Sequence, residues 1–148
     1  MTYRFDLIVP GDPVGKGRPR MTTRAGFAHA YSPPKTVDAE KRIQTAFKAV
    51  YRNYEPIAKG TPIRARIKAF YAEPASMSKT LRNAAEAGLL KPTKKPDLDN
   101  VVKLILDALN GLAYEDDSSI CSIEAEKYYS TEPRIMIEIV CMESCEVV

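Results

Sequence analysis

The chain has 148 residues, 45% of them hydrophobic and 28% charged, the size of one domain (residues 1–148) that would bury about 68–70% of its unfolded surface. It has no run of 18 apolar residues and no charged segment leading into an apolar one, so neither a membrane span nor a secretory signal is expected, and a cytoplasmic location is. The net charge of +3 conceals a segregation, with 19 Lys and Arg against 7 Asp and Glu in residues 1–95 and 3 against 12 in residues 96–148; the first part suits a polyanion, which the second would repel unless cations neutralise it.

Tyr3, Phe5, Leu7 and Val9 alternate with Arg4, Asp6 and Ile8, the pattern of an opening strand, and Pro10-Gly11 end it. The loop that follows, GDPVGKGRPR over residues 11–20, places Lys16, Arg18, Arg20 and, shortly after, Arg24 where they would contact a nucleic-acid backbone, with a merely solvated loop as the alternative. It is not a nucleotide-binding Walker loop, because Gly11 and Gly15 have three residues between them and Lys16 precedes Gly17. Residues 26–31 read as a short strand or one arm of a hairpin presenting Phe27 and Tyr31; packing is the commoner role for such rings and base stacking the alternative.

After Pro33-Pro34, residues 36–51 form an amphipathic helix with Val37, Ile43, Ala46, Phe47 and Val50 on its buried side and Lys41, Arg42 and Lys48 outside. Ile63, Ala65, Ile67, Ala69 and Tyr71 alternate with Arg64, Arg66, Lys68 and Phe70, a half-buried strand with a basic outer face. Residues 78–87 make a small polar helix, expected to lie over the acidic segment that follows. Beyond that segment, residues 120–129 and 134–142 alternate well and are expected to pair as a terminal hairpin. Cys121, Cys141 and Cys145 lack a CxxC spacing and have only His29 as companion, so they read as reduced thiols, not zinc ligands.

Residues 95–120, KPDLDNVVKLILDALNGLAYEDDSSI, hold six of the 19 acidic residues around a short apolar run. Val101, Val102, Ile105, Ala108, Leu109 and Leu112 fall on one helical arc, Gly111 supplies a stop, and Asp99 is expected as the N-cap. With Asp97 extended outside the helix, Asp97 and Asp99 would share a face and Lys103 would follow one turn later. Two carboxylates beside a lysine suit a magnesium or manganese ion acting on a phosphate, with Asp116 or Asp117 brought back by the next strand. The alternative is a helix cap and a solvated acidic loop. An EF-hand is excluded, since Val101, Val102 and Ala108 occupy the positions that need an acid or amide, a glycine and a glutamate.

KPDLDN, Lys103, DALNG and the EDD run, together with GKGRPR at 15–20 and YSPPKT at 31–36, resemble the RusA-type Holliday junction resolvases, over most of the chain. The resemblance implies an α+β fold, here read as a mixed sheet of about four strands with two main helices packed against it, in a homodimer. It implies an endonuclease that resolves four-way junction DNA by paired nicks in recombination and repair, with Mg2+ (Mn2+ as substitute) held by Asp97, Asp99 and Asp117 and with Lys103 in the active site. Two other readings stay open: a non-catalytic DNA-binding module, and a metal-dependent nuclease for other branched DNA.

Overall fold

Every second residue of Arg4–Pro10 (β1) is buried, with Phe5, Leu7 and Val9 inward and Arg4, Asp6, Ile8 and Pro10 exposed, as a strand with one face on a core requires. The structure, a computed structural model, describes residues 4–142, and of Arg24 the backbone alone; Tyr3 and Cys145 lie outside the described residues. After β1 come a small ribbon, Arg20–Arg24 (β2) and Phe27–Tyr31 (β3), then helix Pro34–Val50 (α1) and strand Ile63–Ala72 (β4). Helices Lys79–Glu86 (α2) and Leu98–Leu109 (α3), a 3-10 turn at Asp117–Ser119, and strands Ile120–Ser130 (β5) and Arg134–Cys141 (β6) complete the order. The fold is α+β with a mixed four-stranded sheet, ordered β1-β6-β4-β5, and the described residues hold the two main helices expected, α1 and α3, and the small helix α2.

The expected terminal hairpin does not form. β5 runs parallel to β4, β6 runs antiparallel to β4 on its other side, and β6 also pairs with β1. Alternation along β5 and β6 fixed which residues face inward but not which strand lies beside which. β4 takes the centre because its inward residues, Ile63, Ala65, Ile67, Ala69 and Tyr71, are all at most 2% exposed, whereas β5 contributes half-buried positions and takes the edge. Residues 131–133 therefore cross two strand spacings, about 9.6 Å. The crossing is tied down by the Arg134 guanidinium, which donates to Ser130 Oγ at 3.0 Å and to the Glu132 carbonyl at 2.9 Å.

α1 and α3 pack on each other and on the inward face of the sheet. α1 starts at Pro34, whose ring presets φ and whose missing N–H costs nothing at the first helical position. Its buried side is Thr36, Ala39, Ile43 and Phe47; Val37 and Ala46 are half-buried and Val50 is exposed, contrary to expectation. The Phe47 ring meets Phe5, Tyr51 and Tyr54 at centroid distances of 5.3, 5.0 and 5.2 Å. α3 buries Val101, Leu104, Ile105, Leu106, Ala108 and Leu109, a wider arc than periodicity drew, because it is covered by the sheet on one side and α1 on the other.

The opposite face of the sheet is open. Asp6, Glu138, Arg66 and Glu124 stand opposite one another across its four strands, linked by ion pairs from Arg66 to Glu124 at 2.9 Å and to Glu138 at 3.8 Å. α2, capped by Ser78 Oγ accepting from the Leu81 N–H, packs against β5 instead of covering the acidic segment. No helix among the described residues is long and apolar enough to cross a membrane.

Candidate active site

The N-terminal end of α3 is set by a turn that β4 anchors. The Tyr71 hydroxyl, at the end of β4, donates to the Pro96 carbonyl across from a cis Lys95–Pro96 peptide. Burial first, and the charge of Asp97 second, push the Tyr71 phenol up to about 12, so the Asp97 carboxylate lies near the ring that holds its own turn. Asp97 is the N-cap residue, with extended dihedrals (φ −64°, ψ 142°), and α3 begins at Leu98. Asp99 was expected in that role; it sits instead inside the first turn and accepts from the Asn100 N–H at 3.0 Å. Asp97 thus does stand outside the helix, and its side chain makes no capping bond. Both carboxylates and Lys103 are exposed. Lys103 leans along the helix toward Asp107, 3.7 Å away.

The loop of residues 11–20 is laid against this turn. The Lys16 N–H donates to the Asn100 carbonyl at 2.8 Å, and the Gly17 N–H to Oγ of the buried Thr36 at 3.0 Å. A Cβ on Gly15 would stand 3.0 Å from Pro96 Cβ and 3.1 Å from Asn100 Cβ; one on Gly17 would stand 2.9 Å from both Pro33 and Thr36 side-chain atoms. The glycines of GKG are therefore needed for contact with the protein itself, not with a phosphate.

Lys16 between them was expected to contact nucleic acid, and the structure turns it inward: its ammonium bonds Glu40 and lies 3.3 Å from Asp107. Burial acts to lower its pKa, but the bonds to and charges of Glu40 and Asp107 outweigh it and hold it above the ordinary lysine value.

Arg18 and Arg20 stay exposed. They line a groove of about 670 Å³ together with Lys35, Lys95 and Asp97, so a basic trough runs to the carboxylate at the head of α3. Arg24 ends β2, and its side chain lies outside the described residues. Lys35 and Lys95 were not singled out from sequence, although each stands in a recognised motif; what joins them is the packing of the loop on two helix starts.

Asp117 is elsewhere. Its backbone N–H donates to Asn110 Oδ1 at 3.1 Å, and Asn110 caps the far end of α3, a 12-residue helix about 18 Å long at ~1.5 Å per residue. The sheet agrees, because β5 starts beside Ile63 at the beginning of β4, about 26 Å along the strand from Tyr71 at ~3.3 Å per residue. The expectation that the next strand returns Asp117 to Asp97 and Asp99 thus fails: β5 runs parallel to β4 and begins at the wrong end.

Among the described residues no three acidic, thiol or imidazole side chains lie close enough to share an ion. The Tyr114 phenol is instead pushed up by burial and then by the charges of Asp117 and Asp107, and its hydroxyl donates to the Leu106 carbonyl. Asp116 serves its own turn, accepting from the Ser118 N–H at 3.0 Å with Lys59 3.5 Å away, and its carboxyl is held below the usual range, chiefly by the Ser118 bonds.

Two comparisons bear on this arrangement. The model of a protein family described as endodeoxyribonuclease RusA matches residues 10–140. The uncharacterized protein YqaN of Bacillus subtilis (strain 168) is 41% identical over 135 residues, which cover 90% of this chain and 93% of that protein.

Proposed function

The chain belongs to the RusA family of endodeoxyribonucleases, and from that premise we propose that it is a magnesium-dependent enzyme that resolves four-way DNA junctions by paired nicks. It would act as a homodimer, in the cytoplasm, during recombination and repair, with residues 1–148 as one catalytic domain. The observation that carries the reading is the groove in which Arg18, Arg20, Lys35 and Lys95 lead to Asp97. Cations hold a DNA backbone there and bring one phosphate to the head of α3.

Asp97 and Asp99 fit a hard divalent ion: both are exposed carboxylates, Asp97 is not spent on capping the helix, and magnesium uses one or two carboxylates together with water and substrate phosphate. Magnesium, or manganese in its place, would supply a Lewis acid toward the phosphate oxygens and would lower the pKa of bound water. Lys103, one turn after Asp99, stabilises the negative charge that gathers on the phosphate oxygens in the transition state. Lys16 holds the loop and leaves phosphate contact to Arg18, Arg20 and Arg24.

A third carboxylate from Asp117 would come from a second copy of the chain, a reading supported by the position of its own Asp117 at the other end of α3. Two copies related by a two-fold axis would then complete two sites on one junction.

The test is cleavage of a labelled four-way junction, a flap and a blunt duplex by purified protein, with magnesium and with chelator. Symmetric nicks confined to the junction and to magnesium are expected. Equal cutting of the flap would make it a general branched-DNA nuclease, and tight binding without cutting under any divalent metal would make it a binding module. Asp97→Asn and Asp99→Asn should each abolish cutting while junction affinity holds or rises, because repulsion toward phosphate falls.

A further inference from the structure

Apart from Arg20 and Arg24, the β2–β3 ribbon has no part in this chemistry, and its composition is unusual for a surface hairpin. All its described side chains are exposed, with Phe27 71%, Met21 66% and Tyr31 44% accessible. Packing, the commoner role for such rings, is therefore absent. Ala25 (φ 51°) and Gly26 (φ 81°) both take the left-handed conformation, the two-residue turn that fixes hairpin register. The register places Arg20 opposite Tyr31, Thr22 opposite His29 and Arg24 opposite Phe27. Residues directly opposite share a face, as do alternate residues along a strand. Phe27, His29 and Tyr31 thus form one row of rings, and Met21, Thr23, Ala28 and Ala30 make up the other face.

Resting on the reading of the ligand as branched DNA, we propose that this row is a stacking platform for bases that have left the duplex, as at the centre of an opened junction. Three observations fit that occupant. Alternate positions along a strand stand about 6.8 Å apart, twice the ~3.4 Å rise of a stacked nucleotide chain, so a base drawn out of its stack has room to lie against each ring position of Phe27, His29 and Tyr31. Arg20, opposite Tyr31 at the base of the ribbon, also lines the groove that leads to Asp97, which makes the ring face continuous with the backbone track. Finally, rings flanked by cations are the composition that binds single strands without regard to sequence.

The proposal is tested by anisotropy in chelator, so that nothing is cut, with three probes: oligo(dT), a blunt duplex of equal length and a four-way junction. Phe27→Ala and Tyr31→Ala should each weaken oligo(dT) and junction binding about tenfold, leave the duplex unchanged and keep the salt dependence, since no phosphate contact is lost. Phe27→Trp should retain binding to all three. Arg18→Ala is the contrast: it should weaken all three probes and flatten the salt slope.

Unchanged affinity of Phe27→Ala for oligo(dT) and junction, with Arg18→Ala weakened, would overturn the platform and leave the DNA reading standing. A wild-type protein that binds none of the probes would overturn both. If Phe27→Ala instead halved the sedimenting mass without touching DNA affinity, the ribbon would be a contact between copies and the proposal would be wrong.

Discussion

Lys16 and Arg18 are two residues apart in one basic loop, yet the first is half-buried and paired and the second is exposed, because Gly15 and Gly17 press the backbone between them onto Pro96, Asn100, Pro33 and Thr36. Lys16→Ala should lower stability by about 1–3 kcal/mol, between the values for exposed and buried pairs, since it strands Glu40 and Asp107. Its folded-state pKa is raised, so its contribution is complete below the unfolded lysine pKa, about 10.4. It is lost as pH rises through the higher folded value. Chemical denaturation of wild type and variant should therefore show a gap that is steady from pH 7 to 9 and closes in more alkaline buffer.

Gly15→Ala should cost about 1–3 kcal/mol by overpacking and lower nuclease activity further, since the displaced loop is a wall of the groove. An alanine tolerated there without a shift in the denaturation midpoint would contradict the close contact. Arg18→Ala and Arg20→Ala, by contrast, should leave the midpoint alone and each reduce the slope of log affinity on log salt by about 0.9.

At the level of elements, α3 is a spacer between two acidic groups. Its N-terminal turn carries Asp97 and Asp99, its C-terminal end meets Asp107 and Asp117, and its apolar arc is fixed between the sheet and α1. The turn at its head hangs on Tyr71, so Tyr71→Phe should cost about 1 kcal/mol for the lost bond to Pro96 and raise the magnesium concentration needed for half-maximal cutting by severalfold. A magnesium titration of both proteins on the same junction decides this; equal midpoints would mean that the bond does not position Asp97. Asp116→Asn should be mild in cleavage beside Asp117→Asn, because Asp116 is occupied by Ser118 and Lys59.

At the scale of the molecule, the separation of Asp117 from Asp97 and Asp99 makes a prediction that a single-chain site does not. Asp99→Asn and Asp117→Asn should each be inactive alone, but mixing the two should restore nicking of one strand. On the proposed two-chain site, a dimer of one chain of each kind would have one site with all three aspartates, and roughly half the dimers of an equal mixture would be of that kind. Such dimers should nick a plasmid-borne junction once and seldom linearise it. A mixture as dead as its parents would show that the three aspartates act within one chain, and the helix-spanning distance would then have to close on DNA binding.

The chain's own chemistry determined much of this. The strand alternation of β1 and β4, the apolar periods of α1 and α3, the charge segregation and the motif from Lys95 to the paired aspartates are local patterns, and local patterns fix which face of an element is wet and which residue types can serve as ligands. What pattern does not encode is adjacency. The β5 and β6 alternations are equally compatible with a hairpin and with the observed order in which β4 lies between them, and only the competition for the driest place in the sheet decides. The same holds for the site: twenty residues separate Asp97 from Asp117 in sequence, a distance that says nothing until the direction of β5 is known. Lys16 looked like its arginine neighbours for a related reason, since a cation's role depends on whether the folded chain brings it a carboxylate or leaves it facing water.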